Sequence, residues 1–257
     1  DSMLLAGGGV YSDNGTIANC IISGNWGTQQ DGAGVRNNSG IYRNCLIMGN
    51  YTTASSVWNG GAVYNSGTME NCTIVGNYGP TYVPANPGDS THWYSVYNSG
   101  TLRNCIVVNN SPGFGNSGSK CTYSCTAPLV SGTGNIMQDP QFVDPGSGYG
   151  SSFAAGDYRL MAYSPCINAG TNVTSWMSTG KDLAGNARII NSTVDMGAYE
   201  YTAAAPTPIA APANVVATDG TYGDKVRVTW SAVADATGYV VYRGSDSSNV
   251  DFSASVA

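Results

Sequence analysis

Charged side chains make up only 10% of this 257-residue chain, and histidine occurs once. What charge there is leans acidic, with a net of −6 and no basic cluster to offset it. That balance argues against a nucleic-acid partner, which needs Lys and Arg against its phosphates. A run of about 18 apolar residues is also missing, so no segment reads as a membrane-spanning helix. One histidine gives no Ser/His/Asp arrangement and makes a poor start for a zinc site. A basic, signal-like start is absent too. "DSMLLAGGGV" (1–10) is too short for a signal peptide, which leaves a mature chain or a fragment.

Glycine, by contrast, occurs 34 times, and Asn, Ser, Thr and Tyr abound. Gly, Asn and β-branched residues all disfavour helix interiors. The chain is not disordered in composition either, because 42% of its residues are hydrophobic. A β-rich, exported protein fits this mixture.

The organising feature is a repeat. "SDNGTIANCIISGN" (12–25), "NNSGIYRNCLIMGN" (37–50), "YNSGTMENCTIVGN" (64–77) and "YNSGTLRNCIVVNN" (97–110) share one frame. Their cysteines, at 20, 45, 72 and 105, step by 25, 27 and 33 residues. A period in this range marks a repeat architecture. The frame stays fixed while one segment grows, so insertions collect at one corner.

Each copy parses into three short strands. The first precedes the Asn-Ser-Gly turn, the second follows it, and the third follows the Asn-Cys bend. Alternation sends Val10, Val35, Val63 and Val96 inward. It does the same for Ile17, Tyr42, Met69 and Leu102, and for each Cys with Ile22, Ile47, Ile74 and Val107. Such a unit cannot bury its own apolar face, but stacked copies can. Equivalent strands then pair in parallel about 4.8 Å apart. Asn19, Asn44, Asn71 and Asn104 suit the bend, since Asn tolerates the left-handed conformation and can bond its copy in the next coil.

With this frame the chain resembles the right-handed parallel β-helix superfamily, whose members include pectate lyases and many bacterial surface proteins. "GTGNIMQDPQFVD" (132–144), "GDYRLMAYSPCINAG" (156–170), "DLAGNARI" (182–189) and "VDMGAYEY" (194–201) resemble, in that order, the closing coils of large bacterial secreted β-helix proteins. The resemblance covers about 1–201 and implies a scaffold rather than an activity. "TAAAPTPIAAPA" (202–213) reads as a semi-rigid linker. Residues 212–244 are similar to the first half of a fibronectin type III sandwich, with Trp230 and Tyr239 at core aromatic positions. A whole sandwich of that type needs roughly 100 residues. The expected organisation is therefore an all-β chain: helix domain 1–201, linker 202–211, partial sandwich 212–257.

The cysteines in the repeat read as a ladder of buried free thiols. Disulfides between coils are the alternative, which an exported protein could form. Cys121, Cys125 and Cys166, without histidines, do not read as a zinc site. No cofactor or metal is expected.

Chemistry of the lyase kind needs acids clustered beside a base. Here Arg43, Glu70 and Arg103 fall in one outward column and read as a solvated ladder of ion pairs. Arg36 stands almost alone on the first strand. Asp13 and Asp31 read as turn residues. Tyr11, Arg36, Tyr64 and Tyr97 form an outward column on the first strand. The loops before that strand add aromatics, among them Trp26, Tyr51, Trp58, Tyr78, Trp93 and Tyr94, beside His92. Flat rings amid Asn, Ser and Thr suit stacking on sugars, and in the lyase relatives this strand lines the glycan groove. The plainer alternative is that the loops fold back and cover the column. Tyr11, Arg36, Trp58, Tyr64, His92, Trp93 and Tyr97 are thus the candidate glycan face. The expected function is an extracellular or cell-surface, non-catalytic module for adhesion or glycan contact. A polysaccharide lyase or hydrolase, and a self-assembling fibre subunit that contacts its neighbours, are the alternatives.

Overall fold

In the computed structural model, residues 8–27, 31–53, 60–79, 94–117, 120–202, 212–218, 227–233, 239–246 and 249–256 are described. The chain divides into two compact units, Asp1–Ala204 and Ala205–Ala257.

The first unit is a parallel β-helix with three strands per coil. The first sheet stacks Val10–Ser12, Val35–Asn37, Val63–Asn65, Val96–Asn98 and Phe114–Asn116. The second stacks Thr16–Ala18, Ile41–Arg43, Thr68–Glu70, Thr101–Arg103 and Cys121–Thr122. The third stacks Ile21–Ser23, Leu46–Met48, Thr73–Val75, Ile106–Val108 and Cys125–Thr126. All neighbours pair in parallel, and the register puts each repeat residue over its copy: Val10, Val35, Val63 and Val96, or Ile17, Tyr42, Met69 and Leu102. A shorter fourth file pairs Trp26–Gly27 with Tyr51–Thr52 and continues through bridges at Tyr78 and Ser111.

Strands of three residues need sharp corners, and two residue types supply them. Asn19, Asn44, Asn71 and Asn104 hold φ between 49° and 55°. One strand later, Gly24, Gly49 and Gly76 hold φ between 61° and 67°, and Asn109 takes that place in the fourth coil at 51°. Asn stands in for Gly there because its short side chain tolerates the left-handed region.

The predicted inward residues form one core. Val35, Val63, Tyr42, Met69, Cys45, Cys72, Ile47 and Cys105 are all fully buried in it. Each such side chain contributes roughly 1.5–3 kcal/mol by leaving water. The thiols are free and run up the inside, as expected. In the fifth coil Ser124 takes their place, its hydroxyl accepting the Cys105 N–H at 3.0 Å.

Polar ladders flank the apolar files. Asn37, Asn65, Asn98 and Asn116 are linked amide to amide, each Nδ2 donating to the next Oδ1 at 2.7 Å. Asn25, Asn50, Asn77 and Asn110 form a second continuous ladder at 2.8–3.0 Å. The corner asparagines bond in pairs, 19 with 44 and 71 with 104. Between Asn44 and Asn71 their amides turn instead to the C-terminal segment: Asn44 donates to the Lys181 carbonyl, and Asn71 to that of Asp195.

That segment departs from the expected closing coils. Parallel strand stacking stops at Cys125–Thr126, with a single further bridge to Ile136. Phe142–Asp144 and Asp157–Leu160 then pair antiparallel. The segment lies on the outer face of the third sheet. Phe142, Tyr158, Leu160, Cys166 and Met196 pack with Leu46, Val75, Ile106, Val108 and Cys125 in a second apolar core. The reason is in the strands. "LIM", "TIV" and "IVV" carry apolar residues on both faces, Thr73 being the polar exception, so the outer face needs cover.

In the second unit, Val216–Ala217 pairs antiparallel with Val228–Thr229, and Tyr239–Asp246 with Asn249–Val256.

Candidate functional site

The first-sheet column is assembled as the repeat predicts. Tyr11 lies beside Arg36, Arg36 beside Tyr64, and Tyr64 beside Tyr97. The guanidinium of Arg36 sits 5.3 Å from the centre of the Tyr64 ring. From the other side Tyr97 stacks on Tyr64 at 6.1 Å and 22°, and Tyr94 stacks on Tyr97 at 6.1 Å and 23°. Tyr94 reaches this place because the next rung is Gly115, where a Cβ would lie 2.2 Å from its ring.

This arrangement changes what the column can do. Both faces of Tyr64 are occupied by its own neighbours, so a sugar cannot stack flat upon it. A stack that runs along the sheet presents ring edges and phenol oxygens outward. The Tyr64 and Tyr97 hydroxyls have no hydrogen-bond partner among the described residues. At the first coil, exposed Tyr11 donates to Asp13 at 2.8 Å and accepts from Asn38 at 3.0 Å. Asn38 in turn accepts from Arg36 Nε at 3.4 Å and donates to Asp13 at 2.8 Å. Asp13 thus ties two coils together. The fourth file carries a second aromatic pair: exposed Trp26 stacks on Tyr51 at 6.3 Å and 23°. Trp58, His92 and Trp93 lie outside the described residues.

The second-sheet column corrects the expectation of a solvated ion-pair ladder. Glu70 is buried, with only 3% of its side chain exposed. Its Oε2 accepts from Arg43 Nε at 3.1 Å and from Trp176 Nε1 at 2.8 Å, and its Oε1 accepts from Arg103 Nη1 at 2.9 Å. Arg43 also lies over the indole at 4.9 Å. The turn Ser175–Ser178 folds Trp176 over the carboxylate and shuts it from water. Sequence spacing could not supply this partner, which is 106 residues away from Glu70.

The motifs at 182–189 and 194–201 form a third constellation. Arg188 is fully buried and donates to Glu200 Oε1 at 2.5 Å, to the carbonyls of Gly197 and Asp195, and to Asn44 Oδ1, the last three at 3.1 Å. Asp195 accepts the N–H groups of Asn168 and Tyr201, and Asp182 those of Asn186 and Glu200. Burial pushes the Glu200 carboxyl up to about 8 and raises Asp195 as well. The network joins backbone to backbone and fixes the segment to the second coil through Asn44. Its carboxylates face inward, away from any substrate.

Among the described residues, no group of three His, Cys, Asp or Glu side chains could hold a metal ion, and no helix is long and apolar enough to cross a membrane. No protein-family model, curated protein or solved structure matches the chain.

Proposed function

We propose that the chain is an extracellular, non-catalytic β-helix module that holds a glycan against the outer face of its first sheet. The Arg36–Tyr64–Tyr97 file carries this reading. Its outward groups are phenol oxygens and a guanidinium, held at one coil spacing, about 4.8 Å. Side chains locked by stacking have little entropy left to lose on binding. Recognition is by hydrogen bonds to ring edges, with Tyr11 and Asn38 extending the row at the first coil. Kinship with right-handed β-helix proteins of bacterial surfaces, and a half fibronectin type III sandwich over 212–257, belong to the same reading.

Three observations favour binding over polysaccharide cleavage. Glu70 is buried and accepts from three donors, Asp13 is bonded to Tyr11 and Asn38, and Asp182, Asp195 and Glu200 are buried. A cleaving enzyme needs an acid or base free to reach substrate, and none of these five acids is without partners.

The test is a glycan array with Tyr64→Phe and Tyr97→Phe, singly and together. These keep the stack and remove the hydroxyls. Binding should fall about tenfold for each hydroxyl. Equal binding by the double variant removes the proposed face.

A further inference from the structure

We propose that Arg43 and Arg103, on the outer face of the second sheet, form a binding site for one oxyanion, a carboxylate or a sulfate group. This site is separate from the first-sheet face and does not depend on it.

The argument is one of unused donors. Each guanidinium has five N–H groups. Arg43 gives one to Glu70 through Nε, and Arg103 gives one through Nη1. No other hydrogen bond of either side chain occurs among the described residues. Arg43 and Arg103 side chains are 26% and 27% exposed, and none of their nitrogens is both buried and unpartnered. The remaining donors therefore face water.

Glu70 takes none of them in this geometry. Both its oxygens are engaged, and Trp176 closes over it. Two positive groups thus share one negative group, leaving one net positive charge on a chain whose own net is −6. The rung on one side is Ala18 and on the other Thr122, so no further acid stands in this column. The two arginines are held two strand spacings apart, about 9.6 Å. That is the spacing of their backbones; Glu70 draws both guanidinium groups toward its two oxygens, and the indole fixes that of Arg43. Forked, pre-positioned guanidinium groups recognise planar or tetrahedral oxyanions well.

Glu70 gives the test its sign. In a purely structural triad, removing any member only weakens the fold. In an oxyanion site, removing Glu70's charge strengthens binding, while removing either arginine weakens it. The experiment is calorimetric titration of the whole chain with sodium sulfate, then with an acidic oligosaccharide bearing carboxylates and one bearing sulfates. A neutral oligosaccharide serves as control. Arg103→Gln should weaken sulfate binding about tenfold, Arg103→Lys less, and Glu70→Gln should tighten it several-fold. Thermal unfolding of each variant checks that it is folded. Because the site is independent of the tyrosine file, Tyr64→Phe should leave sulfate binding unchanged. Binding of sulfate alone supports the site with a free ion as its ligand; binding of only one oligosaccharide names the group. Equal affinity in folded wild type, Arg103→Gln and Glu70→Gln, or no binding of any anion, overturns the proposal.

Discussion

Arg188 and Glu200 meet inside the protein at 2.5 Å with neither side chain exposed. Glu200 uses one oxygen for that contact and for the Asp195 N–H, while its other oxygen, Oε2, is buried without a partner. Two influences oppose each other here: burial penalises the Glu200 charge, while the Arg188 guanidinium and the Asp195 N–H favour it, and burial is the larger.

This sets a pH dependence. The folded-state value of Glu200 is raised to about 8 by burial, above its ordinary 4.5. The folded protein therefore binds the proton more tightly than the unfolded chain does. The resulting stabilisation is fully present below pH 4.5 and is lost as pH rises through 8. Asp195, also raised by burial, acts in the same direction. Urea midpoints measured from pH 5 to 9 should fall, and Glu200→Gln should flatten that fall. An unchanged slope in the variant would assign it to other groups.

A second prediction concerns the corners. The Phe153 ring lies over Gly49 and Gly76, where a Cβ would come within 2.3 and 2.1 Å of it. At the equivalent Gly24 nothing lies within 4 Å. All three have positive φ, which Asn tolerates. Gly24→Asn should therefore change stability by less than about 0.5 kcal/mol. Gly76→Asn should cost about 1–3 kcal/mol through overpacking. Adding Phe153→Ala should recover part of that loss, as chemical denaturation of the four proteins would show.

These corners also show how far the sequence can be read. The repeat frame predicts the coil, the inward files, the left-handed asparagines and the thiol file, because all follow from contacts between equivalent residues. The same logic places Tyr11, Arg36, Tyr64 and Tyr97 on one face. It does not reveal that stacking consumes the faces of Tyr64, since ring orientation depends on Tyr94 and on Gly115. Nor does it reveal the burial of Glu70, which depends on Trp176 arriving from outside the repeat. One signal for the covering segment was present. The third strands carry apolar residues at both inward and outward positions, and a sheet apolar on both sides must be covered on both.

A third prediction isolates the inner amide ladder. Asn65 accepts from Asn37 and donates to Asn98, both at 2.7 Å, and is buried. Asn65→Ala leaves the Asn98 oxygen facing a gap. A buried polar group stripped of its partner costs about 1–3 kcal/mol. Asn38→Ala, which breaks comparable bonds at the exposed Tyr11 and Asp13, should cost less than about 0.5 kcal/mol. Equal losses at the two sites would mean that the ladder adds nothing beyond a surface contact.

The last prediction tests the stacking itself. Cys45, Cys72, Cys105, Cys121, Cys125 and Cys166 are buried, and Cys20, in the first coil, is partly exposed. Burial pushes the Cys72 thiol well up and that of Cys121 up to about 12, but it raises Cys20 too, and a contact with Cys72 lowers Cys45, so the order of labelling rests on access. Brief iodoacetamide treatment of the native protein should label Cys20 ahead of the other six. In denaturant all seven should react at similar rates, as peptide mass spectrometry can follow. Early labelling of Cys72 with the protein still folded would mean that coils two, three and four are not stacked with their thiols inside, and the arrangement of every outward column would fall with them.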